Sequence, residues 1–394
     1  MTVRALFLFQ RMWLAVAYAL FRLRRRGRGV TVDWVVGVDE IATMVYRIGQ
    51  MLPQSWTVVL SRHAYYTLQY DTQVTLSRNR TVALLQRTVI GPWIFADMLT
   101  KARGLLYVGS TGFLLVDADQ REFEIQYARS KGLKVATYFV GDDIRSPRLM
   151  HELERRTGLE NFSTHIGKVS PYLDSDEYDA VKKRIATVAN ENADIIFTLP
   201  TDQLSYLAGH TEPMMCYYPD DGFGTDESKF ADLSRPVIVH APSSPITKGT
   251  PLVRAAIERL REDGYQFEYV ELTGASNDEV LATLRRAHIA MNQFYAFQPG
   301  VFANEAMAAR CAVLMSADEH IEKVLPVGSN DKWLVTKHYE VYEKLKGLLD
   351  RPETIEPLAR RGEQWVRDNR SFSSAGPALR QLLDSVLDGS YSGR

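Results

Sequence analysis

The chain has 394 residues, which at about 150 per domain is enough for two or three domains. With 45% hydrophobic, 24% charged and 10% aromatic residues it is an ordinary globular chain, not a disordered or collagen-like one. Two cysteines, Cys216 and Cys311, exclude a disulfide scaffold and point to a reducing cytosolic setting. The 47 basic residues against 48 acidic ones argue against a general nucleic-acid binder. The balance conceals an asymmetry. Residues 1–30 hold seven arginines and no acid, leaving 40 basic and 48 acidic residues over 31–394.

From Ala5 to Phe21 the chain is almost wholly apolar, broken by Gln10 and Arg11, and then meets the basic run Arg22–Arg28. A bilayer crossing wants about 20 predominantly apolar residues, and here it must tolerate Arg11. A cleaved signal peptide fits less well, because Arg11 splits the apolar region and strongly basic residues follow it. The pattern predicts a helix lying in an anionic interface, with Trp13, Tyr18 and Phe21 at the headgroup boundary. The alternative is a helix packed on the protein with a solvated arginine tail. The expected location is cytoplasmic, attached peripherally to a membrane through this segment.

The rest alternates short apolar runs with amphipathic stretches, the pattern of βαβ units and parallel sheets. Strands are expected at Asp33–Val38, Thr57–Leu60, Gly104–Val108, Lys134–Val140 and Asp194–Leu199. Helices are expected at Ile41–Leu52, Arg121–Lys131 and Asp176–Asn192. Residues Tyr217–Pro236, with Pro219-Asp-Asp-Gly-Phe-Gly-Thr-Asp-Glu227, are rich in turn formers and read as a linker. The alternation then restarts: strand Pro236–Ala241, helix Pro251–Asp263, strand Gln266–Thr273, helix Asn277–Ala287, strand His288–Asn292, helix Phe302–Arg310 and strand Cys311–Met315. Helical material follows from His338 to Leu387. This predicts an α/β protein of two Rossmann-like domains facing a cleft, spanning 31–220 and 236–370 around a linker at 221–235. A last helical segment and tail, 371–394, should cross back to the first domain, and residues 1–30 stand apart as the basic helix.

Most motifs with encoded chemistry are absent. No two of the eight histidines lie closer than 14 residues, and no Cys-x-x-Cys occurs, so a motif-encoded zinc site has no support. There is no P-loop, no complete dinucleotide fingerprint and no nucleophile elbow.

Two segments in the second half carry chemistry. Val237-Ile-Val-His-Ala-Pro-Ser-Ser-Pro-Ile-Thr-Lys-Gly-Thr250 reads as a strand, a polar loop and a helix start. Such a loop can offer backbone N–H groups and the Lys248 ammonium to a diphosphate. Asn292-Gln-Phe-Tyr-Ala-Phe-Gln-Pro-Gly-Val-Phe-Ala-Asn-Glu-Ala-Met-Ala308 repeats the arrangement. Its Pro299-Gly300 loop opens a helix expected to carry Glu305 in its first turn, where a carboxylate can accept hydrogen bonds from both ribose hydroxyls.

Together, Lys248-Gly249, Leu272-Thr-Gly274, Ala287-His-Ile289, Glu305-Ala-Met-Ala308 and Ala312-Val-Leu314 resemble the C-terminal domain of GT-B nucleotide-sugar glycosyltransferases. The likeness is to the large retaining family that makes bacterial glycans and glycolipids, and it covers about residues 194–387. In the first half, Gly141-Asp-Asp-Ile-Arg145 is similar to a segment that follows a cleft-facing histidine in some of these enzymes. The resemblance implies transfer of a sugar from a nucleotide sugar to a lipid-linked or polysaccharide acceptor at the cytoplasmic membrane face. It implies no cofactor beyond the nucleotide-sugar donor, no metal, and retention of anomeric configuration. Partners would be the donor, the acceptor and an anionic membrane surface, not nucleic acid, and a homo-oligomer is compatible with this.

By the same resemblance, Lys248, Gly249, Gly274, Gln298, Gly300, Val301, Phe302 and Glu305 would bind the nucleotide. Lys248, Asp142 and Asp143 would be the catalytic candidates, although two acids before a helix also serve as caps. The chain departs from the pattern at Phe297, where a sugar-contacting glutamate is usual, and at Val140, where the cleft histidine falls. An arginine usual ahead of the Lys-Gly pair is missing, and Gln298 or Asn292 would then meet the donor sugar. His240 and His165 are more readily structural than catalytic, and Cys311 reads as core. Two alternatives stand beside the transferase: a non-catalytic GT-B protein organising a membrane assembly, and a nucleotide-sugar epimerase of the same architecture.

Overall fold

The computed structural model describes residues 3–60, 66, 68–114, 119–224 and 226–393; Thr225, in the stretch read as a linker, lies outside them, as does one of the eight histidines, His63. Strands β1 (Val32–Val38), β2 (Ser55–Val59), β3 (Thr72–Gln73), β4 (Ala102–Val108), β5 (Lys134–Tyr138), β6 (Ile195–Thr198) and β7 (Glu212–Pro213) form one parallel sheet in the order β3-β2-β1-β4-β5-β6-β7. Strands β8 (Val237–His240), β9 (Glu268–Glu271), β10 (Ile289–Met291), β11 (Ala312–Met315) and β12 (Leu334–Val335) form a second, in the order β12-β11-β10-β8-β9.

Parallel strands are covered on both faces, and period-two alternation sorts their side chains between two cores. In the first sheet Val35, Leu105 and Tyr107 face one core, while Trp34, Val36, Leu106 and Val108 face the other. The second core also receives Leu379, Leu383 and Val386 from the last helix, Phe372–Asp388, so the chain does return to the first sheet. The outgoing and returning segments run side by side. Tyr218 N–H donates to the Arg370 carbonyl at 2.8 Å, and Phe372 N–H donates to the Tyr218 carbonyl at 3.0 Å.

Strand order reverses direction at β1/β4 in the first sheet and at β8/β10 in the second. Ligands of doubly wound sheets bind in the crevice outside the strand C-termini at such points. The two crevices face one another here, because the residues that follow β1, β8 and β10 line a common cavity.

The first helix runs from Val3 to Arg24 and packs on the helix Arg80–Lys101. Leu14 and Ala17 are fully buried, Trp13 stacks on Trp93 at 5.8 Å, and the Trp13 indole N–H donates to the Val89 carbonyl at 2.9 Å. The interfacial reading and the packed reading are therefore not exclusive: one face of this helix belongs to the core and another stays in solvent.

The helix Arg80–Lys101 is absent from the elements read in the sequence, and it carries Gly91-Pro92. Both residues are buried in the helix interior. A Cβ on Gly91 would lie 2.4 Å from the Phe113 carbonyl oxygen, so the helix can approach the β4-following loop only with glycine there. Gly→Ala inside a helix ordinarily stabilises by about 1 kcal/mol. Here the contact reverses the sign, and Gly91→Ala should destabilise by about 1–3 kcal/mol in urea denaturation. A stabilised variant would show that this approach is not tight.

Candidate functional site

The cleft between the sheets holds a cavity of about 390 Å³ lined from both domains. The second domain contributes the loop after β8 and the segment after β10; the first contributes the turn after β1 and the loop after β5.

Lys248, Gly249 and their loop differ in detail from the sequence reading. Lys248 ends a short helical turn, Pro245–Lys248, and does not open the long helix. Gly249 (φ 76°) turns the chain into that helix, Thr250–Glu262, a left-handed conformation that glycine adopts without strain. The half-buried Lys248 reaches the cavity and donates its ammonium to Gln293 Oε1. Burial pushes this ammonium down to about 8, with the Asp202 carboxylate opposing the shift.

Glu305 sits in the helix Val301–Ala308, in its second turn and not the first, so helix N-terminal N–H groups do not hold it. Its carboxylate is 3% exposed and is met by Arg47 Nη2 at 3.2 Å and by Asn277 Nδ2 at 3.2 Å. Burial raises its pKa, while Arg47 and Asn277 favour the ionised form. Arg47 comes from the first domain and also donates to the Tyr217 carbonyl at 2.7 Å. Its helix, Met44–Met51, is aimed by two left-handed residues, Ala42 (φ 55°) and Thr43 (φ 63°). Glu40 secures that turn, accepting from Val45 N–H at 3.2 Å, Tyr46 N–H at 3.0 Å and the Tyr70 hydroxyl at 2.8 Å.

The other nucleotide candidates, Gly274, Gln298, Gly300, Val301 and Phe302, all line the cavity, as does Asn292. Gly300 caps the helix that begins at Val301, whose first N–H groups have no intrahelical acceptor. Gln298 is held by its carbonyl, which accepts from Gln293 Nε2 at 2.9 Å.

The two aspartates separate. Asp142 lines the cavity and is fixed by Arg145 at 3.1 Å and the Tyr178 hydroxyl at 2.6 Å. Asp143 is turned inward, accepting from Val140 N–H at 2.9 Å and the Ser110 hydroxyl at 3.2 Å, so it anchors the loop and does not reach the cavity wall. Val140 does line the cavity. Phe297 does not; its ring packs with Met150 and Leu153 of the first domain, while its N–H donates to Asp202 Oδ1 at 2.6 Å. That substitution serves the contact between domains.

His240 is buried, bonded to the Met291 carbonyl at 2.8 Å and to the Thr250 hydroxyl at 2.9 Å, with its pKa lowered by burial. His165 bridges the domains away from the cavity, bonded to Glu160 at 3.2 Å and stacked on Tyr295 at 3.6 Å. Cys311 is core. Among the described residues, no three His, Cys, Asp or Glu side chains are grouped to hold a metal ion.

Sequence reasoning missed Arg47, Tyr66, Cys216, Asn277, Arg145 and Asp202. Of these, Arg145 alone stood inside a quoted motif. Its guanidinium is buried and bonds the Asp202 carbonyl at 2.6 Å and its carboxylate at 2.8 Å. Gln293, two residues past β10, stood inside the quoted Asn292–Ala308 segment but was not singled out.

Two Rossmann-like domains with facing switch points and a C-terminal helix crossing back constitute the GT-B fold of nucleotide-sugar glycosyltransferases. Solved structures share it. A sucrose-phosphate synthase from Thermosynechococcus elongatus matches over 92% of this chain and 100% of its own, with a TM-score of 0.61 and 14% identity. The catalytic domain of starch synthase IV from Arabidopsis thaliana, bound to ADP and acarbose, matches over 91% and 100%, with a TM-score of 0.52 and 11% identity. A trehalose-6-phosphate synthase matches over 90% and 99%, with a TM-score of 0.51 and 9% identity. No protein-family model and no curated protein sequence matches the chain.

Removing one partner of a buried ion pair leaves an uncompensated charge, at a cost of about 3–5 kcal/mol. Arg47→Met should therefore destabilise by that amount, and Arg47→Met with Glu305→Gln should recover most of it. The loss in Arg47→Met should shrink as pH falls, because protonation removes the unpaired charge of Glu305, whose pKa burial raises. Chemical denaturation of wild type, Arg47→Met, Glu305→Gln and the double variant across pH checks this; additive losses would show the pair is uncoupled.

Proposed function

We propose that the chain is a glycosyltransferase taking a nucleotide-sugar donor in the interdomain cleft and delivering the sugar to a lipid-linked or polysaccharide acceptor. The observation that carries this is the placement of Glu305 and Lys248 on one cavity at the β8/β10 switch point, within a GT-B fold. Glu305 accepts the ribose hydroxyls, with Arg47 and Asn277 keeping it ionised. Lys248 and the N–H groups at the start of the helix Val301–Ala308 take the diphosphate. The negative charge on the diphosphate grows as the glycosidic bond breaks, so these donors hold the transition state more strongly than the bound donor sugar. The lysine does this without a metal ion. Asp142, fixed by Arg145 and Tyr178, is the first-domain carboxylate available to orient an acceptor hydroxyl. Retention of configuration and action at the cytoplasmic membrane face, with the first helix at the lipid surface, complete the proposal.

Calorimetric titration with nucleoside, nucleoside diphosphate and nucleotide sugar tests it. Charge-assisted hydrogen bonds contribute about 1.5–3 kcal/mol each. Glu305→Gln should thus weaken nucleoside and diphosphate alike, by about ten-fold or more. Lys248→Met should spare the nucleoside, weaken the diphosphate, and depress the rate constant more than it raises the Michaelis constant. Unchanged affinity for every ligand in both variants would remove the cleft as the donor site. Tight binding without turnover would favour the non-catalytic alternative.

The lysine also sets a pH dependence. The ammonium binds the diphosphate and titrates near 8, so affinity should hold below pH 8. Above it, affinity should fall by about ten-fold per pH unit, since one proton must be taken up. Nucleoside affinity should stay flat, and Lys248→Met should lose the dependence. A flat diphosphate profile in the wild type would contradict the role given to Lys248.

A further inference from the structure

The two helices that pack together on the first sheet carry an exposed apolar surface that no neighbouring element covers. Ten of the sixteen exposed large hydrophobic side chains among the described residues lie on them. On the first helix Leu8, Met12, Val16 and Leu20 follow at four-residue steps and form one stripe, with Met12 70% exposed. On the helix Arg80–Lys101, Val82, Leu85 and Val89 form another, with Leu85 54% exposed. The stripes adjoin, because Trp13 reaches the Val89 carbonyl and both Trp13 and Phe21 pack on Trp93.

The charge is equally one-sided. Residues 1–30 and 72–96 together contain ten arginines and none of the chain's 48 acids. Arg22, Arg24, Arg26, Arg28, Arg78 and Arg80 are exposed. Arg11 is used internally, paired with Asp119 at 3.5 Å and lying over Phe123. An apolar stripe flanked by cations, on a chain otherwise rich in acids, fits an anionic lipid surface.

We propose that the first helix and the helix Arg80–Lys101 form a single docking face for an anionic bilayer. This rests on the reading that the first helix meets a membrane, and it adds the second helix as an equal part of the contact. The pair lies in the interface and does not span. Leu14 and Ala17 on one helix, and Phe95 and Met98 on the other, are locked into the core below. Insertion is therefore by the exposed stripes only, and the catalytic domain is held against the lipid at fixed orientation. Deleting the first helix would be a poor test, since it would uncover Trp93 and the core beneath.

The experiment is co-sedimentation of the full chain with vesicles of phosphatidylcholine, with and without phosphatidylglycerol. The variants are Met12→Glu/Val16→Glu on the first helix, Leu85→Glu/Val89→Glu on the second, and Val327→Glu as an exposed apolar control on the other domain. Thermal melting monitors the fold of each. Wild type and V327E should bind the anionic vesicles equally, and each helix variant should lose about ten-fold or more in partitioning with its melting unchanged. Arg78→Gln/Arg80→Gln, which touches no apolar side chain, should lower binding and weaken its salt dependence. Wild-type binding by Leu85→Glu/Val89→Glu and by R78Q/R80Q would overturn the shared face and leave the first helix as sole anchor. No binding by wild type to either vesicle would remove the membrane reading altogether. A dimer in sedimentation velocity that the helix variants disperse, without vesicle binding, would assign the face to a second copy of the chain.

Discussion

The buried ion pair between Arg47 and Glu305 joins the two domains beside the cavity between them. A carboxylate with 3% exposure needs compensation, and the compensation comes from the opposite domain. The same logic recurs around the cleft. Glu322 of the second domain accepts from Thr201 N–H at 3.1 Å and Asp202 N–H at 2.7 Å, and burial raises its pKa to about 7. Asp202 in turn takes the Phe297 N–H, and Asn304 Nδ2 donates to the Cys216 carbonyl at 2.7 Å. These hydrogen bonds tie the two domains together across the cleft, beside the apolar contact that Phe297 makes with Met150 and Leu153.

That constraint shapes the chemistry available. Glu305 faces a cavity, yet its charge is already shared with Arg47. In the proposed donor site a ribose diol would add to the pair or displace the arginine, and the two partners would be coupled in either case. Lys248 stands in the opposite condition. Burial lowers the pKa of its ammonium by more than the Asp202 carboxylate raises it, so an incoming diphosphate would be welcome there. The two ends of one cavity thus present a compensated anion and an undercompensated cation.

Much of the architecture was legible because both sheets obey period-two alternation and helices of clear polarity follow β4, β5, β8, β9 and β10. The helix Asp176–Asn192, with Ser175 as cap and acids in its first turn, was read residue for residue. The helix Arg80–Lys101 was not, because its core-facing residues include Gly91 and Pro92, which are local breakers accepted here for a close tertiary approach. Helices Pro147–Thr157 and Phe162–Gly167 were also passed over, although Ser146-Pro147 and the Asn161–Thr164 capping box mark their starts. At the site, the residues in the segments that follow β8 and β10 were visible: Lys248, Gln298, Gly300 and Glu305. Arg47 and Asn277 were not, since nothing in a single helix says that its cation will meet a carboxylate 258 positions away. The helix that carries Glu305 starts one residue earlier than read, at Val301 in place of Phe302, which moves Glu305 from the end of the first turn into the second.

The position of a bound nucleoside diphosphate is the most direct test of the proposed donor site. A crystal structure of the full chain with such a ligand would show it. The account predicts ribose hydroxyls on the Glu305 carboxylate, with Arg47 still beside it or displaced from it. It also predicts diphosphate oxygens between Lys248 Nζ and the N–H groups that open the helix Val301–Ala308. A nucleotide bound outside the interdomain cavity, with Arg47, Glu305 and Lys248 arranged as they are without it, would contradict it.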